Sequence, residues 1–396
     1  MSNLIILGDP HFGKSTQIGK VGIGMALNSR IVDQLNLLDW TLDQAIEKHV
    51  EHIIITGDIF EEPKPPPFLI TLFISWLKKC QVYNVNVHII IGNHDILRTG
   101  NYYSSPLDII SECELDGIRI YKDINTISVG ATSFTLVPFR DRKSLNCNTN
   151  SEALSLLKDN FVYEQASIPL TYHKVMVGHL AIEGAIPVGD EIDDMVNELF
   201  CPLNMFNGYD YVWMGHVHKP QIMSKKPFAA HIGSMEISNF GECDQKKHIV
   251  IFDCDSGTFT IENIPTRKLK KISITIPVGT VDSTKYILTC IEKENDIDKS
   301  IVKLDISFSD ANMPAIQKSI IEKQLLSKGV FNIAVISESK KISVTKKDGA
   351  SQMSTSLDVP SAIKIWSKTQ IKDTQQDKFI EYAFKVLNKL KSESKE

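Results

Sequence analysis

Five short polar motifs, each directly after an apolar run, constrain the fold of this 396-residue chain more than any other feature. The motifs are Asp9-Pro10-His11, Gly57-Asp58, Gly92-Asn93-His94-Asp95, Gly178-His179 and Gly215-His216-Val217-His218. In open α/β sheets, ligands bind in the crevice beyond the carboxyl ends of the strands, so five strand ends can deliver their side chains to one place. Each motif alone is weak evidence, but together they predict one common site.

The side chains in these motifs predict the chemistry of that site. Carboxylates and imidazoles favour manganese, iron or zinc over calcium, and the motifs offer no thiolate. Asp9 and His11 are separated by one residue and project to the same side of an extended segment, as do His216 and His218. The carboxylate of Asp58 could bridge two ions through its two oxygens. The sequence therefore predicts a site for two divalent metal ions.

The first two thirds of the chain predict an α/β fold. Short apolar runs alternate with amphipathic helical stretches, which is typical of βαβ units in a partly parallel sheet covered by helices. Strands are expected at residues 4–7, 52–56, 87–91, 134–138, 174–177 and 211–214, with helices at 29–49 and 67–80. Residues 228–264 contain consecutive strands without helices between them, which predicts a second, antiparallel part of a sandwich.

The remaining third predicts further units. We place the end of the first domain at residue 265 and expect a smaller α+β domain over residues 266–348. Its expected strands are residues 271–276, 301–308 and 331–336, with a helix at 314–327. Residues 349–372 form a predicted linker, and residues 373–396 a C-terminal amphipathic helix. One face of that helix carries Phe379, Ala383, Val386, Leu387 and Leu390.

Charge and cysteine content narrow the class of protein. From residue 267 onward there are 23 Lys and Arg against 16 Asp and Glu, whereas the preceding part has 20 against 32. This asymmetry fits metal binding in the first part and polyanion contact in the second, although solvated lysines would give the same count. The seven cysteines form no CxxC pair, and no apolar run approaches the roughly 20 residues of a membrane span. We expect a cytosolic protein with reduced thiols and no membrane contact.

The order D-x-H, G-D-x-F, G-N-H-D, G-H and G-H-x-H resembles the calcineurin-like metallophosphoesterase superfamily. The resemblance implies a four-layer αββα sandwich in which two metal ions activate a hydroxide that attacks a phosphate ester. It also implies that Asp9, His11, Asp58 and His218 hold one metal, and that Asp58, Asn93, His179 and His216 hold the other. His94 would contact the scissile phosphate and assist the leaving oxygen, and Asp95 would orient the His94 imidazole.

Other features resemble the SbcD-type nucleases within that superfamily. They are the pair Arg30 and Asp33, the Pro-containing segment after Asp58, and His231-Ile-Gly-Ser-Met-Glu followed by Phe240 and Glu242. Met235 and Glu61 depart from the usual pattern. The resemblance implies a manganese-dependent DNA nuclease of repair and recombination, with double-strand exonuclease and single-strand endonuclease activity. It also implies a homodimer that works with an SbcC-type, SMC-like ATPase on cytoplasmic DNA, in a bacterial or a virus-infected cell.

The resemblance also suggests where partners bind. The smaller domain would cap the cleft and contact the DNA backbone. Apart from the resemblance, three positive charges among the glycines of residues 14–30 would allow that loop to follow a DNA phosphate track. The candidate DNA contacts are Lys14, Lys20, Arg30, Arg267, Lys268, Lys270 and Lys271. The terminal helix would lie on the coiled coil of the ATPase, although packing within the chain would give the same pattern. Helices near residues 68–79 and 106–113 would form the homodimer.

Two other interpretations remain open. One is a different metallophosphoesterase, either a cyclic-nucleotide phosphodiesterase or a protein phosphatase. Phosphatases usually continue as G-D-x-x-D-R-G and G-N-H-E, whereas this chain has GDIFEEP and GNHD, and a small substrate would not need the C-terminal third. The other is a non-catalytic scaffold of the same fold. Such proteins lose metal ligands, whereas all seven candidate ligands and His94 are present here.

Overall fold

The computed structural model describes residues 2–21, 26–99, 102–188, 198–308 and 315–340. Its helices are α1 (Ser29–Glu47), α2 (Pro67–Val82), α3 (Pro106–Ser111), α4 (Asn150–Ser167), α5 (Ser283–Glu292) and α6 (Lys318–Ser327). Its first strands are β1 (Asn3–Leu7), β2 (Val50–Ile55), β3 (Asn86–Ile90), β4 (Leu97–Thr99), β5 (Tyr102–Ser104), β6 (Ile118–Tyr121), β7 (Asn125–Val129), β8 (Thr132–Val137), β9 (His173–Gly178) and β10 (Ala181–Ile182). The later strands are β11 (Phe200–Cys201), β12 (Tyr211–Met214), β13 (Gln221–Lys225), β14 (Phe228–His231), β15 (His248–Asp253), β16 (Thr258–Asn263), β17 (Leu269–Ile276), β18 (Ile301–Phe308) and β19 (Asn332–Lys340).

Two six-stranded sheets form the larger part of the molecule. The first has the order β16-β15-β1-β2-β3-β6, and the second has the order β13-β14-β12-β9-β8-β7. Strands β1, β2, β3 and β6 run parallel, as do β14, β12, β9 and β8. Parallel strands present their carboxyl ends at one edge of a sheet, so the strands that precede the five motifs all end at the crevice side.

Hydrophobic packing makes four layers from these sheets. Ile6, Ile54 and Ile90 of the first sheet meet Phe134 and Trp213 of the second in a buried core. The outer face of the first sheet packs on α1, α2 and α3, and the outer face of the second packs on α4. Each fully buried aliphatic or aromatic side chain stabilises the folded state by about 1.5–3 kcal/mol relative to the same side chain exposed to water. The predicted αββα sandwich is confirmed.

Local sequence explains where the helices beside the site begin. The Asn28 side chain accepts a hydrogen bond from the Arg30 amide and so caps the N-terminus of α1. Pro67 occupies the first turn of α2, where its missing N–H leaves no helical hydrogen bond unmade.

Helix α4, which we did not predict, buries only Ala153, Leu157 and Phe161. Three positions four residues apart give a narrow apolar face and therefore a weak helical pattern.

The consecutive strands predicted within residues 228–264 are present, and β15 and β16 pair antiparallel, but the three strands β14, β15 and β16 do not form one part of the sandwich. β14 joins the second sheet parallel to β12, whereas β15 pairs antiparallel with β1, with Ile5 opposite Ile251. β16 then pairs with β15 at the edge of the first sheet. The apolar run in β15 is buried on both faces, which requires a position between two strands and under a covering layer.

The residues of the predicted smaller domain have a hydrophobic cluster of their own. β17, β18 and β19 form a three-stranded sheet, and α5 and α6 contribute to its hydrophobic cluster. Ile272, Ile287, Leu304 and Ile321 are buried there. The observed β18 matches the predicted strand, whereas α5 was not predicted and α6 begins at Lys318.

The predicted linker at 349–372 and C-terminal helix at 373–396 lie outside the described residues, and their boundaries stay predictions. The same holds for the apolar face of that helix, with Phe379, Ala383, Val386, Leu387 and Leu390. Within the part of the chain that the structure describes, no helix combines the length and apolarity that crossing a membrane requires.

Candidate dimetal centre

Three motif residues that follow the carboxyl ends of the central strands have strained backbone conformations. His11, Asp58 and His216 have φ angles of 44°, 46° and 73°, in the left-handed region that non-glycine residues rarely adopt. Each such residue lowers the stability of the folded state by on the order of 1–3 kcal/mol. Such a conformation persists only where the surrounding structure enforces it. A Cβ at Gly92 would lie 2.1 Å from Asp58 Oδ1, and one at Gly215 would lie 2.2 Å from Asp9 Oδ1. Glycine at these two positions allows the motif loops to approach one another.

One group of donors forms where the first and last motifs meet. Nε2 of His11 lies 2.7 Å from Nε2 of His218 and 3.5 Å from Oδ2 of Asp58. Asp9, His11 and His218 offer ligand atoms within 4.8 Å of one another. Asp9 is held in place by hydrogen bonds from the His216 amide at 2.6 Å and the Thr56 hydroxyl at 2.5 Å. These atoms can surround one cation.

A second group lies beside the first. Nε2 of His179 lies 2.9 Å from Oδ1 of Asn93 and 3.2 Å from Oδ2 of Asp58. Nδ1 of His216 lies 3.0 Å from the same Asn93 oxygen and 3.3 Å from the His179 nitrogen. The Nδ1 of His179 donates to the Thr56 carbonyl oxygen at 2.9 Å, which directs the lone pair of Nε2 into the cluster.

Asp58 joins the two groups. Its Oδ2 is the oxygen that faces both His11 and His179, while its Oδ1 accepts a hydrogen bond from the His94 amide at 2.8 Å. Burial would raise the pKa of Asp58, but His179, His94 and His11 together hold it well below its usual value. Burial would likewise lower the pKa of His179, but Asp58 and Asp9 raise it to about 10. Three carboxylate and amide side chains and four imidazoles converge here, and this donor set fits two divalent ions.

His94 lies at the rim of this cluster. Its Nδ1 donates to the Glu61 carbonyl oxygen at 2.7 Å, and its ring lies 4.9 Å from the ring of His11. Burial would lower the pKa of His94, but Asp58 and the carbonyl and carboxylate of Glu61 raise it above its usual value. The hydrogen bond at Nδ1 fixes the ring orientation and leaves Nε2 as the nitrogen that can meet a substrate.

The prediction that Asp95 orients the His94 imidazole is wrong. Among the described residues, the hydrogen bonds of the Asp95 carboxylate come from the amides of Ile59, Phe60 and Gly92, at 3.0 to 3.3 Å. Burial and the nearby charge of Asp58 raise the pKa of Asp95 to about 7, and those amides oppose the rise. Asp95 therefore joins the loop that carries Asp58 to the loop that carries Asn93, and the Glu61 carbonyl has the expected orienting role.

Two glutamates at the site were not predicted to act there. Oε2 of Glu61 lies 2.9 Å from Nδ1 of His11, and Oε2 of Glu198 lies 2.8 Å from Nε2 of His216. In both cases the carboxylate approaches the nitrogen that faces away from the donor cluster, an arrangement that tunes metal-binding histidines. Glu61 follows the second motif by three residues, so proximity could have indicated it. Glu198 stands 18 residues before His216, and no local pattern marks it.

Two of the predicted DNA contacts are used inside the protein. The Arg30 side chain is fully buried and pairs with Asp33 at 3.0 Å and Glu236 at 3.3 Å, so its assignment as a DNA contact is wrong. Arg267 donates to both oxygens of Asp33 at 2.7 and 2.5 Å, and its guanidinium lies 4.0 Å from the centre of the Phe331 ring. Its charge is therefore neutralised by α1 where the smaller domain joins the sandwich.

The five lysines among those predictions remain accessible to different degrees. Lys14 lies at the edge of the donor cluster, 3.2 Å from Glu61, with its side chain 15% exposed. Lys20 is exposed and lies 5.6 Å above the Phe331 ring. Each of the other three lysines has a carboxylate nearby. Asp296 pairs with Lys268, Glu294 lies 3.9 Å from Lys270, and Asp305 lies 3.6 Å from Lys271. These five assignments stay predictions.

Comparisons with known proteins agree with this geometry. The family model for calcineurin-like phosphoesterases matches residues 2–220. The SbcD component of the SbcCD nuclease from Escherichia coli (strain K12) is 24% identical over 314 residues, which cover 74% of this chain and 76% of the relative. "DNA double-strand break repair protein Mre11" of Thermoplasma acidophilum is 23% identical over 75% of this chain and 76% of the relative.

One solved structure, "Crystal Structure of a dimetal phosphatase" from Danio rerio, aligns at a TM-score of 0.38 with 11% identity, over 66% of this chain and 99% of that one.

The match to the family model extends over more than half of the chain and contains every candidate metal ligand, from Asp9 to His218. The chain belongs to the calcineurin-like phosphoesterase family.

Proposed function

We propose that this protein is a metal-dependent DNA nuclease, the nuclease subunit of an SbcCD-type repair and recombination complex. The observation that carries the proposal is the complete donor set, in a chain similar over three quarters of its length to proteins named as a nuclease subunit and a double-strand break repair protein. We include both exonuclease action on double strands and endonuclease action on single strands, on DNA in the cytoplasm.

The residues divide into ligands and a substrate-contacting group. Asp9, His11, Asp58 and His218 would hold one ion, and Asp58, Asn93, His179 and His216 the other. When bound, the two ions supply an activated water and neutralise the charge that develops on the phosphate oxygens. Carboxylate and imidazole donors suit manganese, iron or zinc, and we propose Mn²⁺ as the physiological ion because the motifs resemble those of manganese-dependent SbcD-type nucleases.

His94 would donate a proton to the oxygen that leaves. Its Nδ1 proton is held by the Glu61 carbonyl, so the proton for transfer is the one on Nε2. Lys14 stands on the same side of the cluster, within reach of Glu61, and its ammonium would attract the phosphate backbone of the substrate. The pairing with Glu61 keeps this lysine near the ions before DNA arrives.

We further propose a homodimer through α2 and α3 and a partner ATPase that binds the C-terminal helix. Phe68 and Val82 of α2 are 45% and 76% exposed, and Ile109 of α3 is 52% exposed, so both helices offer apolar side chains to a second copy. Light scattering at micromolar concentration should give twice the mass of the 44.4 kDa chain. A monomer would contradict the dimer and leave the nuclease proposal standing.

The nuclease proposal is tested by Mn²⁺-dependent degradation of linear double-stranded and circular single-stranded DNA, next to a small phosphodiester. The wild-type protein should cut DNA, and both Asp58→Ala and His94→Gln should cut it at least about 10²-fold more slowly while the chain stays folded. If the small diester is hydrolysed but DNA stays intact, even with an SbcC-type ATPase and ATP, the protein is another kind of phosphodiesterase. If neither substrate reacts, the fold serves as a binding scaffold.

A further inference from the structure

A cavity of about 280 Å³ lies beside the second group of donors. Ile91 and Phe139 form its wall on that side, and the Phe139 amide donates to the Ile91 carbonyl at 2.9 Å. The Phe139 ring lies 6.2 Å from the ring of His179 and 5.9 Å from the ring of His216. One aromatic side chain therefore separates the cavity from two candidate metal ligands.

The cavity offers an exposed aromatic face. Tyr103 lines it and is 45% exposed, and the Arg98 guanidinium lies 5.4 Å from the centre of the Tyr103 ring. An aromatic ring supported by an arginine is the surface on which unpaired nucleobases stack. Ser104 adds a hydroxyl group to the lining, and this can exchange hydrogen bonds with the edge of a base, whereas the Ser144 hydroxyl already bonds to the Asp141 backbone.

The charges around the cavity are balanced. Arg98 pairs with Asp141 at 2.6 Å, Arg140 pairs with Asp123 at 3.1 Å, and Lys122 pairs with Asp108. Each of these three cations thus has an acid beside it, so a phosphate would find little net attraction. An uncharged, flat ligand with polar edges suits this lining better than an anion does.

We propose that this cavity binds the unpaired nucleobase next to the scissile phosphate, stacked on Tyr103. The inference rests on the proposed nuclease function and adds a substrate subsite to it. A base held there keeps its neighbouring phosphate over the donor cluster and requires that the terminal or cut nucleotide leave its partner strand. Recognition is through stacking, so it tolerates any base but requires that a base be present.

The test uses single-stranded oligonucleotides in which one phosphodiester can be cut and the others are protected as phosphorothioates. An abasic residue replaces the nucleotide on one side of that bond and then on the other, with Mn²⁺ present. For the wild-type protein, removal of the base should slow cutting about tenfold at one of the two positions, as expected for one stacked base. In Tyr103→Ala, removal of the same base should slow cutting by less than about twofold, because the stacking contact is already lost.

Matched variants separate stacking from folding. Tyr103→Phe keeps the ring and should keep the tenfold effect. Tyr163→Ala removes another accessible aromatic side chain, 75% exposed on α4, and should also keep it. As a measurement independent of these variants, 2-aminopurine at the sensitive position of a fully protected oligonucleotide should lose fluorescence when it binds the wild-type protein.

Each outcome decides the question. If the wild-type protein cuts the intact oligonucleotide and neither abasic residue matters, or if 2-aminopurine stays bright when bound, the cavity does not hold a base and the nuclease function stands. The same conclusion follows if Tyr103→Ala still discriminates as the wild type does. If no oligonucleotide is cut, the nuclease function itself is wrong, and this subsite falls with it.

Discussion

Two groups of histidines in the same sandwich have opposite surroundings. His11, His179, His216 and His218 follow the carboxyl ends of strands and meet Asp9 and Asp58. His52 and His88 lie within β2 and β3, where Nδ1 of His52 lies 3.1 Å from Nε2 of His88, and Nδ1 of His88 lies 2.9 Å from the Tyr121 hydroxyl. These contacts join the second group to an imidazole and a phenol rather than to carboxylates.

Electrostatics turns this difference of position into a difference of chemistry. Burial, with smaller contributions from His52 and Arg119, lowers the pKa of His88 to about 3, so this imidazole stays neutral. His179 is also buried, but its carboxylate neighbours raise its pKa to about 10. Burial alone therefore does not identify a functional histidine, and the presence of carboxylates that can share a cation does.

The largest effect should come from the residue that joins the two donor groups. Asp58→Ala removes the carboxylate that faces both His11 and His179, and we expect DNA cleavage to fall by at least about 10³-fold. Isothermal titration with Mn²⁺ should show loss of binding. His52→Gln in the other group is the control and should cut DNA at the wild-type rate. If Asp58→Ala retains a tenth of the activity, Asp58 does not bridge two ions.

Next in size is the effect of His94. His94→Gln removes the proposed proton donor but none of the proposed ligands, so we expect cleavage to fall about 10²- to 10⁴-fold while Mn²⁺ affinity stays as in the wild type. Comparison of a DNA substrate with a substrate that has a nitrophenolate leaving group sharpens the assignment. The better leaving group needs less protonation and should lose less rate. An equal loss for both substrates would argue against a proton donor.

A smaller effect should follow from Glu61, whose carboxylate lies 2.9 Å from the far nitrogen of His11. Loss of such a contact typically costs about 10- to 100-fold in metal affinity or activity. Glu61→Gln should therefore weaken Mn²⁺ binding within that range, as measured by titration calorimetry. Glu62→Gln, at the next position, is the matched control. Unchanged affinity in Glu61→Gln would mean that this carboxylate does not support the ligand.

The smallest effect concerns His88, in the pair of histidines within β2 and β3, and appears in the free energy of unfolding. The folded-state pKa of His88 is about 3, below the value of about 6.5 in the unfolded chain, so the unfolded state binds the proton more readily. Stability contributed by neutral His88 is complete above pH 6.5 and is lost as the pH falls toward 3. His88→Phe should lose less stability than the wild type between urea unfolding at pH 7.5 and at pH 4.5. Equal losses would mean that His88 is charged in the folded protein.

The contrast between these regions also explains which features the sequence could predict. Five of the seven candidate ligands follow an apolar strand within one to three residues, so local patterns could indicate Asp9, Asp58, Asn93, His179 and His216. The role of Asp95 could not be found in this way, because adjacency to His94 says nothing about which groups the carboxylate faces. Glu198 reaches His216 only through the tertiary fold.

Charge was the least informative sequence feature for locating DNA contacts, because the partners of a charged side chain depend on the tertiary fold. Arg30 and Arg267 looked like surface cations, yet both pair with Asp33, and Arg30 is fully buried. The pairing depends on contact between α1 and the start of the smaller domain, which sequence spacing does not reveal. Similarly, β15 could be recognised as a strand from its apolar residues, but its pairing with β1 spans most of the larger domain.

The central claim is that one donor cluster holds two metal ions bridged by Asp58. Electron paramagnetic resonance of the Mn²⁺-loaded protein, with metal content determined on the same sample, tests it most directly. Two ions per chain should be bound, and their spectrum should show magnetic coupling through the shared carboxylate. One ion per chain, or two with the spectrum of isolated Mn²⁺, would contradict a bridged pair at this site.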